Sequence, residues 1–378
     1  MNTILLCIEA ATTLLLLSLT AMCIRNLADY TPLEELPAKK GDSLFILIPA
    51  RNEEANIETC VRQILQQTYE DFTLIVLDDA STDGTAEIVS RICETDSRLH
   101  LVEGKPIQEG WAGKVWACSQ LAERAINQQA DWLLFLDADV RCESQFVDAL
   151  LAHAQQNSAG MVSTFPYQIT ESLSERVVLP MLQFLITTFL PVRMVWESPS
   201  PAIVAACGQV ELFSSQTYSA IGGHASIPHS FHDGLQLARK VKASGHSVRL
   251  TDASRLVSCH MYSGWKEVWK GFTRNAYEGL GSFQALVVMS TLLFVLFFMP
   301  FPLLIAAYVY GWAAWTSLVF VQIALIFLIR NLQQRRFGHP EAVILHPLSI
   351  LCLVTIQWAS WWINNRGHNV VWKGRHYS

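Results

Sequence analysis

Apolar and polar residues alternate along this chain on two different scales. Between residues 41 and 262 the runs are short. Apolar stretches of strand length at 43–49, 72–77, 99–102 and 132–136 alternate with helically spaced segments at 54–67, 85–94, 114–127 and 144–155. That alternation predicts a mostly parallel sheet covered by helices on both faces. Ligands of such sheets bind beyond the carboxyl ends of the strands. Elsewhere the apolar runs are long. Residues 284–329 contain no Asp, Glu, Lys or Arg. As one helix at ~1.5 Å per residue they would reach roughly 70 Å, more than twice a ~30 Å hydrocarbon core. Two crossings fit better, with the break at Pro300, Pro302 and Gly311. Residues 342–363 form a second uncharged run, ending in the aromatic cluster Trp358, Trp361 and Trp362. A third, 3–24, is interrupted only by Glu9.

The charges flanking these runs suggest a topology. No Lys or Arg precedes the N-terminal run, whereas Arg25, Lys39 and Lys40 follow it. A cleaved signal has the reverse order, so residues 1–25 read as a retained transmembrane anchor. The positive flank places the domain 41–262 on the cytoplasmic side of the cell's inner membrane. Residues 177–196 have the length of a span but contain Pro180, Pro191 and Arg193. A crossing there would put a bilayer between acidic motifs that one site must share. An amphipathic segment on the membrane surface is expected instead. Residues 263–283 then read as an interfacial connection, 284–330 as a transmembrane hairpin and 364–378 as a basic tail. The hairpin returns Arg330, Arg335 and Arg336 to the cytoplasmic side. A full crossing by 342–363 would leave Arg366, Lys373 and Arg375 outside; Pro347 allows a re-entrant segment that keeps them inside, as the charge rule favours.

Composition sharpens this division. The chain is 51% hydrophobic and 16% charged, against ~25% charged for soluble domains, an average of two unlike parts. A net charge of −6 argues against a nucleic-acid binder. The nine cysteines are scattered without a C-x-x-C pair and read as free thiols. His224, His229, His246 and His260 show no ligand spacing and read as structural or acceptor-side residues.

The candidate chemistry falls at the predicted strand ends. Pro49-Ala50-Arg51-Asn52-Glu53-Glu54 follows the first strand, Asp78-Asp79-Ala80-Ser81-Thr82-Asp83-Gly84 the second and Asp137-Ala138-Asp139 the fourth. Carboxylates this close repel one another without a cation. Two Asp with one residue between them can both face a hard divalent ion that also holds phosphate oxygens, so Mg²⁺ or Mn²⁺ is the expected cofactor. Gly110-Trp111-Ala112-Gly113-Lys114 opens a helix, where free N–H groups and a lysine suit a diphosphate. A capped helix with a solvated lysine would read the same way.

These motifs, in this order, resemble an inverting family 2 glycosyltransferase with a GT-A fold. Further matches narrow the branch: Gly110 to Cys118, Gly208-Gln209, Gly222-Gly223-His224, Cys259-His260-Met261-Tyr262, Gly271-Phe272-Thr273-Arg274-Asn275 and the tail Trp372-Lys373-Gly374-Arg375-His376-Tyr377. Together they resemble the membrane-bound chlorobactene glucosyltransferase and carotenoid glycosyltransferase branch, with hopanoid-associated and ceramide enzymes more distant. The resemblance implies an α/β GT-A catalytic domain, Rossmann-like, with α-helical transmembrane segments.

For the site, the resemblance implies that Asp79 reads the base of a nucleotide sugar, a UDP-sugar first among them, with Pro49, Ala50 and Glu53 lining the pocket. Asp78 could share that role. Asp137, Ala138 and Asp139 would hold the diphosphate through a metal, Asp139 most directly, and Lys114 would add positive charge. The family's base is usually the Asp of a Glu-Asp pair opening a helix. Here that place reads His232-Asp233-Gly234, so Asp233 is the expected base, with His232 tuning it or sharing the proton. Asp233 as a simple helix cap is the competing reading. Arg274 suits either the diphosphate or a membrane surface. The Gln-x-x-Arg-Trp motif of processive synthases is missing, which favours single sugar addition. The expected acceptor is a membrane lipid such as a carotenoid, another isoprenoid or a glycolipid precursor. Transfer to polyprenyl phosphate or a growing glycan is the alternative within enzymes; a catalytically silent nucleotide-sugar-binding membrane protein is the alternative outside them.

Overall fold

A computed structural model describes residues 2–311, 313–365, 370–372 and 375–377. Parts of the expected tail, Arg366, Lys373, Gly374 and Ser378 among them, lie outside the described residues. The chain divides into two compact units. One is built chiefly from Tyr30–Ile169 and Arg193–Met261; the other gathers the N-terminal helix, Thr170–Val192 and the chain from Tyr262 through the helix His346–Asn365.

The first unit is the α/β part. Its strands are β1 (Leu44–Ala50), β2 (Phe72–Asp78), β3 (Leu99–Glu103), β4 (Trp132–Leu136), β5 (Val140–Cys142), β6 (Met161–Thr164), β7 (Tyr167–Gln168), β8 (Val210–Ser214), β9 (Val248–Thr251) and β10 (Val257–Cys259). Seven of them form one sheet in the order β3-β2-β1-β4-β8-β6-β9, and β5-β10-β7 form a smaller one. β3, β2, β1 and β4 run parallel, β8 runs against both β4 and β6, and β9 is parallel to β6. The central strands are apolar without alternation because helices cover both faces. The helix Ile57–Leu65 shows the matching pattern. Ile57, Cys60, Val61 and Ile64 are buried at helical spacing, while Glu58 and Arg62 pair at 2.9 Å on the outer side.

The register lines up the polar strand ends. Ala50 lies opposite Asp78, and Asp78 opposite Glu103. Phe135 of β4 faces Glu211 of β8 across the antiparallel pair. Gly208 and Gln209 therefore arrive beside Asp137, whose N–H donates to the Gln209 carbonyl at 3.1 Å. All nine cysteines are free thiols, as their spacing predicted.

The second unit is helical. Two of its helices are long and apolar enough to cross a membrane, Leu6–Asp29 and Trp315–Phe337. The expected hairpin over 284–330 is resolved into three helices, Phe283–Phe297, Pro300–Val309 and Ala313–Phe337. Pro300 starts the middle one, and Gly311, at φ +69°, follows it. Phe283–Phe297 also forms a sharply bent pair with Gly264–Leu280, at 111°. The run 342–363 becomes Glu341–Ile344 and the 20-residue helix His346–Asn365. The segment 177–196 becomes parts of Leu173–Val178, Pro180–Phe189 and Met194–Glu197. Met181 and Phe184 of its middle helix are buried with Leu16, Leu293, Ile326 and Ile350, so its apolar residues are taken up by the helical unit's own core.

One carboxylate ties this unit's connections together. Glu175 accepts from the N–H groups of Glu171 at 2.7 Å, Ser172 at 3.3 Å and Gly264 at 2.7 Å, and from the Ser172 hydroxyl. Burial alone would raise this carboxyl; the hydrogen bonds bring it down to about 2. Its stabilising effect is thus complete above the ordinary carboxylate range and is lost as pH falls toward about 2. Glu175→Gln is expected to cost roughly 2–3 kcal/mol at pH 7, the scale of hydrogen bonds to a charged group, and to flatten the acid limb of stability. A variant with the wild-type unfolding midpoint and the same acid dependence would refute this.

Candidate active site

The end of β4 and the starts of two helices converge on a cluster of charges. Lys114 lies in the first turn of the helix Gly113–Asn127. Its ammonium is 2.7 Å from Asp137 Oδ1 and 3.2 Å from Asp233 Oδ2, and it donates to the Gly208 carbonyl at 2.8 Å. Two aspartates almost a hundred residues apart in sequence thus share one cation. The aspartate side chains are 27% and 10% exposed, respectively, so the pair is sheltered but reachable.

Glycines permit this approach. A Cβ at Gly208 would strike Asp233 Oδ1 and come within 3.4 Å of Lys114 Nζ. One at Gly234 would strike Glu211 Oε1 and sit 2.8 Å from the Gly208 backbone nitrogen. Neither position has room for a side chain.

Asp233 is the first residue of the helix Asp233–Ala243, and its Oδ1 accepts from Gly234 N–H at 3.0 Å. His232 occupies the cap position without a side-chain cap bond. Burial alone would raise Asp233. The Lys114 ammonium, His224 and the Gly234 N–H together outweigh that and hold it below the ordinary carboxylate range. Burial would likewise lower Lys114, but Asp137 and Asp233 carry it well above its ordinary value.

Asp139 has a different environment. Its Oδ1 is buried without a partner. Burial, then the charges of Asp137 and Glu53, push its carboxyl up to about 7. Burial also raises Asp137 despite its lysine. A carboxylate pair kept from ionising fully by burial and mutual repulsion is a donor set that a divalent cation would relieve. The residues present therefore fit Mg²⁺ or Mn²⁺. Among the described residues no group of three or more His, Cys, Asp or Glu could hold a metal, so the remaining ligands would be phosphate oxygens and water.

The first two strand ends are cross-braced. Asp79 N–H donates to the Ala50 carbonyl at 2.8 Å, and Arg51 Nη1 donates to the carbonyls of Asp79 at 2.5 Å and Ala80 at 2.9 Å. Asn52 and Ala80 both adopt φ +52°, which turns these loops sharply. Glu53 N–H donates to Thr85 Oγ1 at 2.8 Å, and Glu53 Oε2 accepts from Asn56 at 3.1 Å. Asp78 Oδ2 accepts from Ser81 N–H at 3.2 Å, while its Oδ1 is buried without a partner. Pro49 lies near the end of β1, and the buried Ala138 follows the end of β4. Arg274 belongs to the helical unit, where its Nε donates to Asn275 at 3.1 Å.

One residue of this cluster, Glu211, was not singled out by sequence; Gln209 entered only as part of a motif and His224 as a structural or acceptor-side residue. Glu211 is fully buried on β8 with an unpartnered Oε1; burial, then Asp233, raises its carboxyl far above the ordinary range. The available signal was an acid inside the apolar run Val210-Glu211-Leu212-Phe213. Gln209 donates to Cys259 Sγ at 2.9 Å and accepts from Gln168 at 3.0 Å, joining the two sheets. His224 hydrogen-bonds the Tyr218 hydroxyl at 2.7 Å, and burial pushes it down to about 4.

Residues 45–203 match the family model of glycosyl transferase family 2. The chain carries a family 2 glycosyltransferase domain. The matched segment contains Lys114, Asp137 and Asp139 and ends before Asp233. The chain is 28% identical over 256 residues to the 4,4'-diaponeurosporenoate glycosyltransferase of Staphylococcus haemolyticus, covering 67% of this chain and 66% of that protein. To the Staphylococcus aureus protein of the same name it is 27% identical over 343 residues, covering 89% and 88%. The fold is similar to a Pyrobaculum calidifontis mannosyltransferase solved with GDP-Man and Mn²⁺, with TM-score 0.54, 16% identity and coverage of 94% and 99%. The GT-A architecture expected from the family 2 motifs is thus the observed one.

Proposed function

We propose that this glycosyltransferase moves one sugar from a nucleotide-sugar donor, a UDP-sugar first among candidates, to a hydroxyl of a carotenoid or other isoprenoid lipid. The reaction is placed at the cytoplasmic face of the inner membrane. The observation that carries this reading is the Lys114 ammonium held between Asp137 and Asp233, which joins a phosphate-side carboxylate to a candidate base. The relatives' names, which specify a carotenoid acid, and the two span-length helices support an apolar acceptor.

In this reading Asp79, with Asp78, Pro49, Ala50 and Glu53, holds the nucleoside. Asp137, Ala138 and Asp139 hold the diphosphate side. A divalent cation on Asp139 and Asp137 would supply Lewis-acid stabilisation of the leaving nucleoside diphosphate. Asp233, kept ionised by Lys114, takes the proton of the acceptor hydroxyl as that oxygen bonds to the anomeric carbon and the bond to the diphosphate breaks. A single displacement inverts the anomeric configuration. His232 borders the base.

The test is mass spectrometry of lipids from cells expressing the chain with candidate nucleotide sugars supplied. A lipid heavier by one sugar is expected. A gain only on polyprenyl phosphate or a glycan would replace the acceptor assigned here, and no gain together with no donor hydrolysis would refute transfer. Asp139→Ala is expected to weaken Mn²⁺-dependent UDP-sugar binding by at least roughly 10- to 100-fold, the range for losing even an outer partner of a metal ligand. Undiminished binding by calorimetry would remove Asp139 from the metal site.

A further inference from the structure

The helix Ala313–Phe337 carries a buried guanidinium without an acid beside it. Arg330 is 2% exposed. Its Nε donates to the Ala342 carbonyl at 3.3 Å and its Nη1 to Gln333 Oε1 at 2.8 Å, while its guanidinium carbon lies 5.3 Å from the Phe184 ring centroid. These partners are all neutral. Among the described residues no Asp or Glu forms an ion pair with Arg330. An arginine cannot shed its charge by deprotonation, so burial without a counter-charge is costly.

The same aromatic ring has a second polar neighbour. His346 is 0% exposed, its ring lies 5.3 Å from that of Phe184, and both its nitrogens are buried without a partner. An imidazole always carries at least one N–H, so a donor is left unused. Gln183, next to Phe184, also has a buried amide oxygen without a partner. Rotating that amide would present its NH₂ instead. A permanent cation and an unused imidazole donor thus meet at one phenyl ring, with an adjustable buried amide on the preceding residue of the same helix.

Depth along the helix indicates what could answer them. Arg330 ends the uncharged run 284–329 and precedes Arg335 and Arg336 by five and six residues. At ~1.5 Å per residue it lies roughly 8 Å inside that pair, the depth of a head-group boundary more than of a bilayer centre. Phe320, Val321 and Leu328 of the same helix are exposed and apolar, a surface suited to a hydrocarbon chain. Intramembrane ionisable groups commonly mark ligand sites.

We propose that Arg330 and His346, with Gln183, bind the oxyanion head, phosphate or carboxylate, of an apolar-chain membrane amphiphile. Both side chains are enclosed, so the head enters by parting them and then supplies the missing counter-charge. Binding should therefore register as stability. The inference rests on the helix Trp315–Phe337 lying in a membrane, not on sugar transfer.

The experiment is thermal unfolding of the full-length chain, delipidated in an uncharged detergent, with hexadecyl phosphate, hexadecanol or inorganic phosphate. Hexadecyl phosphate is expected to raise the unfolding midpoint, and the other two are not. Arg330→Lys keeps the charge but loses the planar fork, and His346→Phe keeps a ring but loses the donor. Each is expected to raise the half-saturating concentration of hexadecyl phosphate about tenfold. Equal protection by hexadecanol, or wild-type binding in both variants, would overturn the oxyanion site. Equal protection by inorganic phosphate would overturn the lipid source. Sugar transfer assayed on the same preparations keeps the two readings separate: transfer without protection counts against this site, and protection without transfer counts against the proposed reaction.

Discussion

Asp233→Asn is expected to lower turnover by roughly 10²–10⁴, the range for loss of a positioned general base, while donor affinity stays within about twofold. The substitution preserves shape and the acceptor for Gly234 N–H, which bonds Asp233 Oδ1 at 3.0 Å. It removes only the charge facing Lys114 and the capacity to accept a proton. A structural cap would tolerate this change, since Asn caps helices as well as Asp. Single-turnover transfer and donor calorimetry, measured together, distinguish the two roles. Turnover within about threefold of wild type would remove Asp233 from the chemistry.

The second large effect is expected at Lys114. Lys114→Met removes the cation shared by Asp137 at 2.7 Å and Asp233 at 3.2 Å and leaves two carboxylates with Glu211 buried close by. Breaking an ion pair by deleting one partner costs about 3–5 kcal/mol in a closed interior; partial exposure here reduces that to roughly 2–3 kcal/mol. Turnover should fall by at least about 10². The pH profile should move as well. In wild type Lys114, with His224 and the Gly234 N–H, holds Asp233 below the ordinary carboxylate range against burial, so the base stays ionised until the medium is strongly acidic. Without Lys114 burial prevails, Asp233 rises, and the acid limb of turnover shifts toward neutral pH. An unshifted limb with normal stability would mean that Lys114 serves only the phosphates.

The parallel half of the sheet was legible because its signal is local. Apolar runs such as Leu44–Ala50 and Trp132–Leu136, separated by helices with a buried stripe, admit little besides a covered parallel sheet. The strand-end motifs were legible for the same reason: Glu53, Asp79 and Asp139 each lie within three residues of a strand's end. The later strands were not read from pattern. β6, β8, β9 and β10 are three to five residues long, and their pairing depends on partners far away in the chain. Segment 177–196 shows the limit from the other side. Periodicity cannot tell lipid from neighbouring helices, so it did not foresee that Met181 and Phe184 of this segment enter the helical unit's core, Phe184 lying 5.0 Å from Phe297.

What the amino-acid order determined by itself is the division of the chain into a carboxylate-rich α/β domain and a nearly uncharged helical part, together with the identity of the acidic strand ends. Both follow from short-range periodicity and residue chemistry. Only the tertiary structure decided who meets whom. Lys114, expected to wait for phosphates, bridges Asp137 and Asp233. Glu211 is shut in beside the latter, and Gly208 and Gly234 are glycines because two backbones and two carboxylates must pass within contact distance. The reason is physical. Burial and proximity set charge states, and both depend on chain segments that sequence keeps far apart.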